Sequence, residues 1–569
     1  MFLFTKCSIG KVNGWMRASV DVKRDMFEDV GKKIKNKKYI TNWSGFILML
    51  YVLYGFGINA ILEDIPMKKD DNAKYPPFKI TLGIIISIIT RYKNSKKIDE
   101  KFDDEPFLQR ILGFDDGETP SKSTLGRDIL RYDSKDVEEV YIRLIRWMRF
   151  LGLAIGEGLV LDSTKIAVDG KTYELIGEGV DYVDGKRKKG YKVFALYDAV
   201  FDVVIYFNIK PLNDSDCPTL KEYIEKARQI LGKNKIKKIY IDRGFYDEDT
   251  LVWLKRECGI DFIIRGKSNT AIHKQAVKNA ENYEEVVIEH EKEYRPKTDK
   301  GKKAKEERDK EKKPVKAAKV KMKMKEIDIE VAIIEDSTEL SNNEKLVLLV
   351  KELQKLSQLS YTSQEMMDLF KEKYGVAFSN SKNPKITMSK ALKNLPAIKC
   401  VGKTRCKKYE INDDDIKIRA KLLGENKKEV VNIWITTLSG KTPKEIVEEY
   451  RNRFLIETLF RELKSEWDIN EFPSTKINAI KSYLFFTFMA YNIVGIFKRS
   501  LTPEYHNAGI EKLRTEIFEK LSVVEWHENG FTLRFNSKKY EKRYYEQLQS
   551  IHVFIENRRN EINLLNLDT

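Results

Sequence analysis

Tyr450, Arg453, Glu457 and Lys464 follow one another with two, three and six residues between them, and their types suit phosphate chemistry. A carboxylate framed by cations and a phenol can take a metal ion beside a phosphodiester backbone. Residues 442–467 read as one helix: Thr442 is a good N-cap, Pro443 suits the first helical position, and no Gly or Pro follows. At ~100° per residue, with Tyr450 at zero, Glu457 falls at about −20°, Lys464 at about −40°, Arg453 at about −60° and Arg461 at about +20°. Leu455, Ile456, Leu459, Phe460 and Leu463 take the opposite, apolar side. Such a face is also the solvated side of any amphipathic helix, and two other segments weigh against that plainer reading.

Residues 159–168 (LVLDSTKIAV) form a β-rich apolar run broken by one carboxylate, Asp162. Residues 236–246 (IKKIYIDRGFY) read as a second strand that ends in Asp242, just before an Arg-Gly turn. A carboxylate inside a buried strand is costly unless it is paired or metal-bound. Two such Asp residues and a later Glu make a candidate three-carboxylate site. Hard cations such as Mg²⁺ take oxygen ligands, and a pair of them suits in-line phosphoryl transfer.

These three motifs, in this order, resemble those of DDE transposases of the insertion-sequence-4 superfamily, over about residues 100–500. The resemblance implies an α/β fold. Its RNase H-like catalytic core would carry a helical N-terminal region and a large mixed α+β insertion before the last catalytic residue. It further implies that Asp162, Asp242 and Glu457 are catalytic and bind two Mg²⁺ ions, with Mn²⁺ able to substitute. Tyr450, Arg453 and Lys464 would contact DNA near the scissile phosphate. Its partners would be the element's terminal inverted repeats and target DNA, with a homodimer bridging two ends. A cytoplasmic, nucleoid-associated prokaryotic enzyme of cut-and-paste transposition is expected. The rival readings are an RNase H-like nuclease or resolvase without strand transfer, and a domesticated DNA-binding protein without catalysis.

The composition agrees with a polyanionic partner, since the 569 residues carry a formal net charge of +17. Arg243, beside Asp242, and Arg461, on the Glu457 helix, are further candidate DNA contacts. So are Lys188, Lys189 and Lys192, in a dense basic run (186–192) that reads as a hairpin turn. The five cysteines are scattered and odd in number, so reduced thiols are expected rather than a disulfide framework. The apolar stretch 45–62 approaches membrane-spanning length and 483–497 is shorter; Asn59 and Asn492 interrupt them, and buried helices with no membrane partner are expected.

The elements that must position the site divide the chain into five parts. Residues 1–150 read as a mostly helical region, a candidate binder of DNA ends. Residues 151–266 are the first part of the core, with a hairpin over 191–210 after the Asp162 strand. Residues 267–428 form an insertion too long to be a loop. Its stretch 291–325, with sixteen Lys and Arg against seven acids, reads as a solvated arm or a DNA-gripping one. Residues 319–334 alternate polar and apolar and read as one strand. Helices over 343–356, 362–374 and 385–395, then a hairpin over 397–401 and 405–411, follow the order of a winged helix. Lys385, Lys390, Lys393, Lys403, Arg405, Lys407 and Lys408 would be its phosphate contacts. Residues 429–500 return to the core, and the charged tail 501–569 has one expected strand, at 531–535, and a candidate role in dimerisation.

Overall fold

The computed structural model describes residues 7–12, 15–20, 38–69, 73–91, 105–114, 119–154, 156–169, 172–180, 187–214, 219–268, 270–288, 315–339, 345–346, 349–350, 360–374, 388, 391–392, 398–401, 408–411, 427–527 and 530–567. The chain divides into two units, Met1–Ile264 with Tyr450–Thr569, and Arg265–Glu449.

The first unit is built on a mixed sheet. The strand Leu159–Ala167 pairs antiparallel with Arg187–Asp198, which pairs antiparallel with Val203–Pro211. On its other side Leu159–Ala167 pairs parallel with Lys238–Ile241, which pairs parallel with Asp261–Arg265. Each parallel joint needs a crossover, and helices Thr219–Leu231 and Glu248–Arg256 supply them. Ile239, Tyr240, Ile241, Phe262, Ile263 and Ile264 are all buried, the continuous apolar run of strands covered on both faces.

The helix Ile477–Ser500 packs on the strand Val203–Pro211 and on helices Pro77–Ile89 and Ser134–Phe150. Phe207 meets Phe485 and Phe488 with ring centroids 4.5 and 4.2 Å apart. By length and composition this helix could cross a membrane, yet 89% of its apolar window is buried within the fold. Asn492 shows how a polar group is accommodated there. It accepts from the Val204 N–H at 2.9 Å and donates to the Val204 carbonyl at 3.0 Å, and to the Tyr141 hydroxyl.

The N-terminal region is less helical than its sequence pattern suggests. Strands Cys7–Val12, Trp15–Val20 and Lys38–Thr41 join Ser522–His527 and Gly530–Phe535 in a five-stranded antiparallel sheet. These strands are short, and two of them find partners about 500 residues away, so no local periodicity announces them. The expected strand at 531–535 is Gly530–Phe535. The tail continues as helix Lys538–Leu567, packed on Phe46–Gly55 and Ile477–Ser500 of the same unit.

In the second unit, strands Glu284–Val286, Val315–Met324, Ile327–Glu339 and Lys427–Thr436 pair antiparallel in that order. The single strand expected at 319–334 is therefore a hairpin. Met324 pairs with Ile327, and the backbone turns at Lys325, whose φ is 52°. Two adjacent polar residues, Lys325 and Glu326, break the alternation by one step, and no Gly or Asn marks the turn.

Farther along the same unit, helix Ser363–Tyr374 packs through Met366 and Phe370 against Leu346, Leu349, Val350, Tyr361, Met388 and Leu392. Thr362 and Glu365 form a reciprocal capping box at its start. Three strands accompany it in the order Ser360–Thr362, Lys408–Ile411, Ile398–Val401. The first, three residues long, is not foreshadowed by the sequence. Lys385, Lys390, Lys393, Lys403, Arg405 and Lys407 lie outside the described residues, as does 289–314.

Candidate active site

Register brings the two aspartates together. Leu161 pairs with Ile241 across a parallel joint, so Asp162 and Asp242 each follow directly on neighbouring strands. Asp162 accepts from its neighbour Ser163 N–H at 2.7 Å. Asp242 caps the 3₁₀ turn Arg243–Phe245, accepting from Gly244 N–H at 3.0 Å. The side chains grow more accessible from Asp162 (19% exposed) through Asp242 (34%) to Glu457 (52%).

The helix expected over 442–467 is broken into three pieces. An α-helix, Pro443–Tyr450, passes through a 3₁₀ turn, Arg451–Arg453, into a second α-helix, Phe454–Ser465. Each 3₁₀ residue advances ~20° more than an α-helical one, so Tyr450 is rotated by roughly 60° relative to Glu457. Tyr450 is buried and donates to the Ile241 carbonyl at 3.3 Å, the residue before Asp242. Ile456, Leu459, Phe460 and Leu463 are buried as the apolar side of the second helix.

Arg453 is buried at the centre of the carboxylates. Its Nη1 lies 2.9 Å from Asp162 Oδ2 and 3.8 Å from Asp242 Oδ1, and its Nη2 donates to Glu457 Oε1 at 2.5 Å. Its Nε is buried and has no partner among the described residues. Burial pushes the Asp162 carboxyl up to about 7, although the Arg453 charge and the Ser163 N–H pull the other way. Burial also works against the Arg453 charge, but Tyr450 and the three carboxylates more than offset it and hold the guanidinium protonated.

The candidate basic contacts are dispersed. Arg243, Arg461 and Lys464 are exposed, and Arg461 donates to Thr458 Oγ1 at 3.2 Å. The run read as a basic turn is instead the start of strand Arg187–Asp198, paired on both sides. It packs tightly: a Cβ at Gly190 would fall 2.0 Å from the Ile166 carbonyl oxygen. Lys188 is half-buried, and Lys189 pairs with Glu178 at 3.1 Å. Lys192 is buried, donating to the Asp214 carbonyl at 2.7 Å with its ammonium 5.5 Å from the Phe194 ring centre.

Two features were not anticipated. The C-terminal end of the Glu457 helix is held by Arg91, which donates to the Ser465 carbonyl and to Asp468 at 2.8 Å, and by Arg514, which donates to the Glu466 carbonyl at 3.0 Å. Cations on the last carbonyls suit the negative end of a helix, but nothing local in the sequence links residues so distant. The other is Phe454, an exposed aromatic at the start of the second helix.

Oxygen-only donors around a cationic centre fit a hard divalent ion in type. As they stand they are engaged by Arg453, and no three acids, Cys or His among the described residues are placed to grip a metal.

Among solved structures, the chain is similar to the piggyBac transposase in its synaptic complex with hairpin DNA. That likeness has 11% identity and a TM-score of 0.35, over 92% of this chain and 84% of that one. No curated protein matches the chain. The family model of the transposase DDE domain matches residues 154–493, which include Asp162, Asp242 and Glu457. That match spans more than half of the chain, which therefore belongs to the DDE transposase family.

Proposed function

We propose that this transposase catalyses cut-and-paste movement of an insertion sequence of the insertion-sequence-4 type, with Asp162, Asp242 and Glu457 as its metal-binding carboxylates. The observation that carries the reading is their convergence on one buried guanidinium, although they come from two strands and a distant helix. The strand order of the first unit supports an RNase H-like core. Leu159–Ala167, Arg187–Asp198 and Val203–Pro211 are antiparallel, with the short strand Gly177–Val180 also paired to Arg187–Asp198, and Lys238–Ile241 and Asp261–Arg265 run parallel to the first; Asp162 lies on the first strand and Asp242 directly after Lys238–Ile241.

Two Mg²⁺ ions, or Mn²⁺ in their place, would activate the attacking oxygen and stabilise the leaving one at each phosphodiester. Asp162 and Asp242, fixed by adjacent strands, and Glu457, on the solvent side, would hold them. With the carboxylates given over to metal, the Arg453 guanidinium would be available to a DNA phosphate. Tyr450 anchors the helix to the strand end through Ile241, and Arg461 and Lys464 line its exposed side. The substrates are the element's ends, first hydrolysed and then joined to target DNA through the freed 3′-hydroxyl, by a dimer bridging two ends in the cytoplasm. The order of strands and helix within 360–411 supports a winged-helix module as a further DNA contact.

The test is excision and strand transfer from a plasmid carrying the gene's native flanks, comparing wild type with Glu457→Gln. Joined products from wild type alone support the reading. Metal-dependent cuts without joining favour a nuclease, and silence from folded wild type favours a DNA-binding protein without catalysis.

A further inference from the structure

Along helices Ser134–Phe150 and Thr219–Leu231 the cations are at first balanced: Arg143 pairs with Asp64 and Lys226 with Glu138, each at 2.8 Å. Toward the ends of both helices the pairing stops. Arg146, Arg149, Lys233, Lys235 and Lys237 have no carboxylate partner among the described residues. Arg149 is half-buried and the other four are exposed, while Ile236 between two of the lysines is buried.

These cations share one place in the fold. Arg146 donates to the Gln229 carbonyl at 3.3 Å. Gly232 turns the chain with a φ of 100°, and a Cβ there would lie 3.5 Å from Arg149 Nη1 and 3.6 Å from Lys235 Cγ. Glu157 is the one acid in the segment 151–158 that leads from the first helix to strand Leu159–Ala167. One acid cannot balance five cations, and like charges held together repel until a polyanion relieves them.

The patch lies where the strands of the candidate site begin. Residues 151–158 enter the strand that carries Asp162, and Lys237 leads directly into Lys238–Ile241, which Asp242 follows. The seven residues from Lys235 to Asp242 span up to ~23 Å of extended chain, about seven base-pair steps of ~3.4 Å. Duplex DNA offers one phosphate per ~1.7 Å of its axis, so it can meet several of these cations at once.

We infer that this patch grips the phosphate backbone of duplex DNA about seven base pairs from the cut step, as a contact separate from the candidate active site. Such a grip fixes where the duplex lies without reading its sequence. This inference rests on the transposase reading.

The experiment uses full-length protein and duplexes copied from the DNA flanking the gene, in two nested sets extended from the expected cut on the element side or on the outer side. Binding is measured in EDTA over a range of salt. Wild type should gain affinity once one set passes about seven base pairs, and the set that shows the gain tells element DNA from flanking DNA. Lys233→Gln with Lys235→Gln, both on exposed side chains, should lose that gain. The slope of log affinity against log salt should flatten by about 1.8, at ~0.9 for each lost phosphate contact. Cleavage of the shortest duplexes with Mg²⁺ should match wild type. A double variant with the wild-type slope overturns the proposal and leaves the cations to an acidic protein partner. Equal loss of cleavage on the shortest duplexes also overturns it, since the patch would then serve the site itself. Wild type that neither binds nor cuts any duplex overturns the transposase reading, and this contact with it.

Discussion

Arg453 Nη1 and Asp162 Oδ2 stand 2.9 Å apart although 291 residues separate them in the sequence. The same guanidinium reaches Asp242 and Glu457, so one cation balances three acids that would otherwise repel one another. It holds the candidate site together by charge, in the place where the acids would take a metal.

Removing that cation should therefore be felt in stability before it is felt in chemistry. Arg453→Gln is expected to cost about 2–3 kcal/mol, less than the ~3–5 of a fully buried pair because Glu457 is half-exposed. Mg²⁺ or Mn²⁺ without DNA should then raise the melting temperature of the variant more than that of wild type. Equal metal responses, read by thermal unfolding, would show that the guanidinium does not compete for the carboxylates.

Glu457→Gln keeps the shape of an exposed side chain while removing a charge. DNA binding should stay within about twofold of wild type, and cleavage should fall by at least about 10–100-fold, the scale of disturbing a metal site. Gel-shift and cleavage assays on the same flanking duplexes separate the two effects. A parallel loss of binding would assign Glu457 to recognition instead.

Asp202 gives a pH-dependent prediction away from the site. It sits in the turn after strand Arg187–Asp198 with φ 52°, accepting from Lys498 Nζ at 2.9 Å, Tyr197 at 2.7 Å and Tyr491 at 2.6 Å. Burial pushes its carboxyl up, but the Lys498 charge and these hydrogen bonds outweigh it and hold the group below its ordinary 3.8. A depressed acid stabilises the fold above its unfolded pKa, and that contribution is lost as pH falls through the folded one. Asp202→Asn tolerates the left-handed backbone but loses the ion pair. It should be less stable than wild type at pH 7, and the gap should close below about pH 4. A gap that stays constant in urea titrations across that range would refute the account.

Asn492→Leu would make helix Ile477–Ser500 more apolar and yet weaken the fold. It strips the buried Val204 N–H of the Asn492 oxygen and leaves the Val204 carbonyl with the Tyr141 hydroxyl alone, at an expected cost of about 1–3 kcal/mol. Denaturant unfolding checks this, and a change under about 0.5 kcal/mol would mean that Val204 finds other partners.

The carboxylates were legible because strands with a single charge, and a helix with one apolar side, carry their burial in local pattern. Asp162, Asp242 and Glu457 accordingly lie on two neighbouring strands and one helix, near one cation. What local pattern missed was set by distant or subtle geometry. The 3₁₀ step at 451–453 turned Tyr450 inward, which a uniform helical wheel cannot show. Lys192 reads as part of a basic turn offered to DNA phosphates, yet pairing on both sides and the close approach at Gly190 draw its strand into the sheet. The strands near the N-terminus depend on residues 522–535 for their partners. The Lys325 turn lacks the residue types that usually mark one.

The division of the first unit around Arg265–Glu449 also sets an order of events during synthesis. A ribosome adding ~5–20 residues per second needs roughly 10–40 s to traverse that stretch. For that interval Asp162 and Asp242 are already made, while Arg453 and Glu457 are not. The strands Ser522–His527 and Gly530–Phe535, which complete the second sheet, emerge later still. A half-made chain thus lacks both the counter-ion and the third candidate acid, and the candidate site is completed only after that interval.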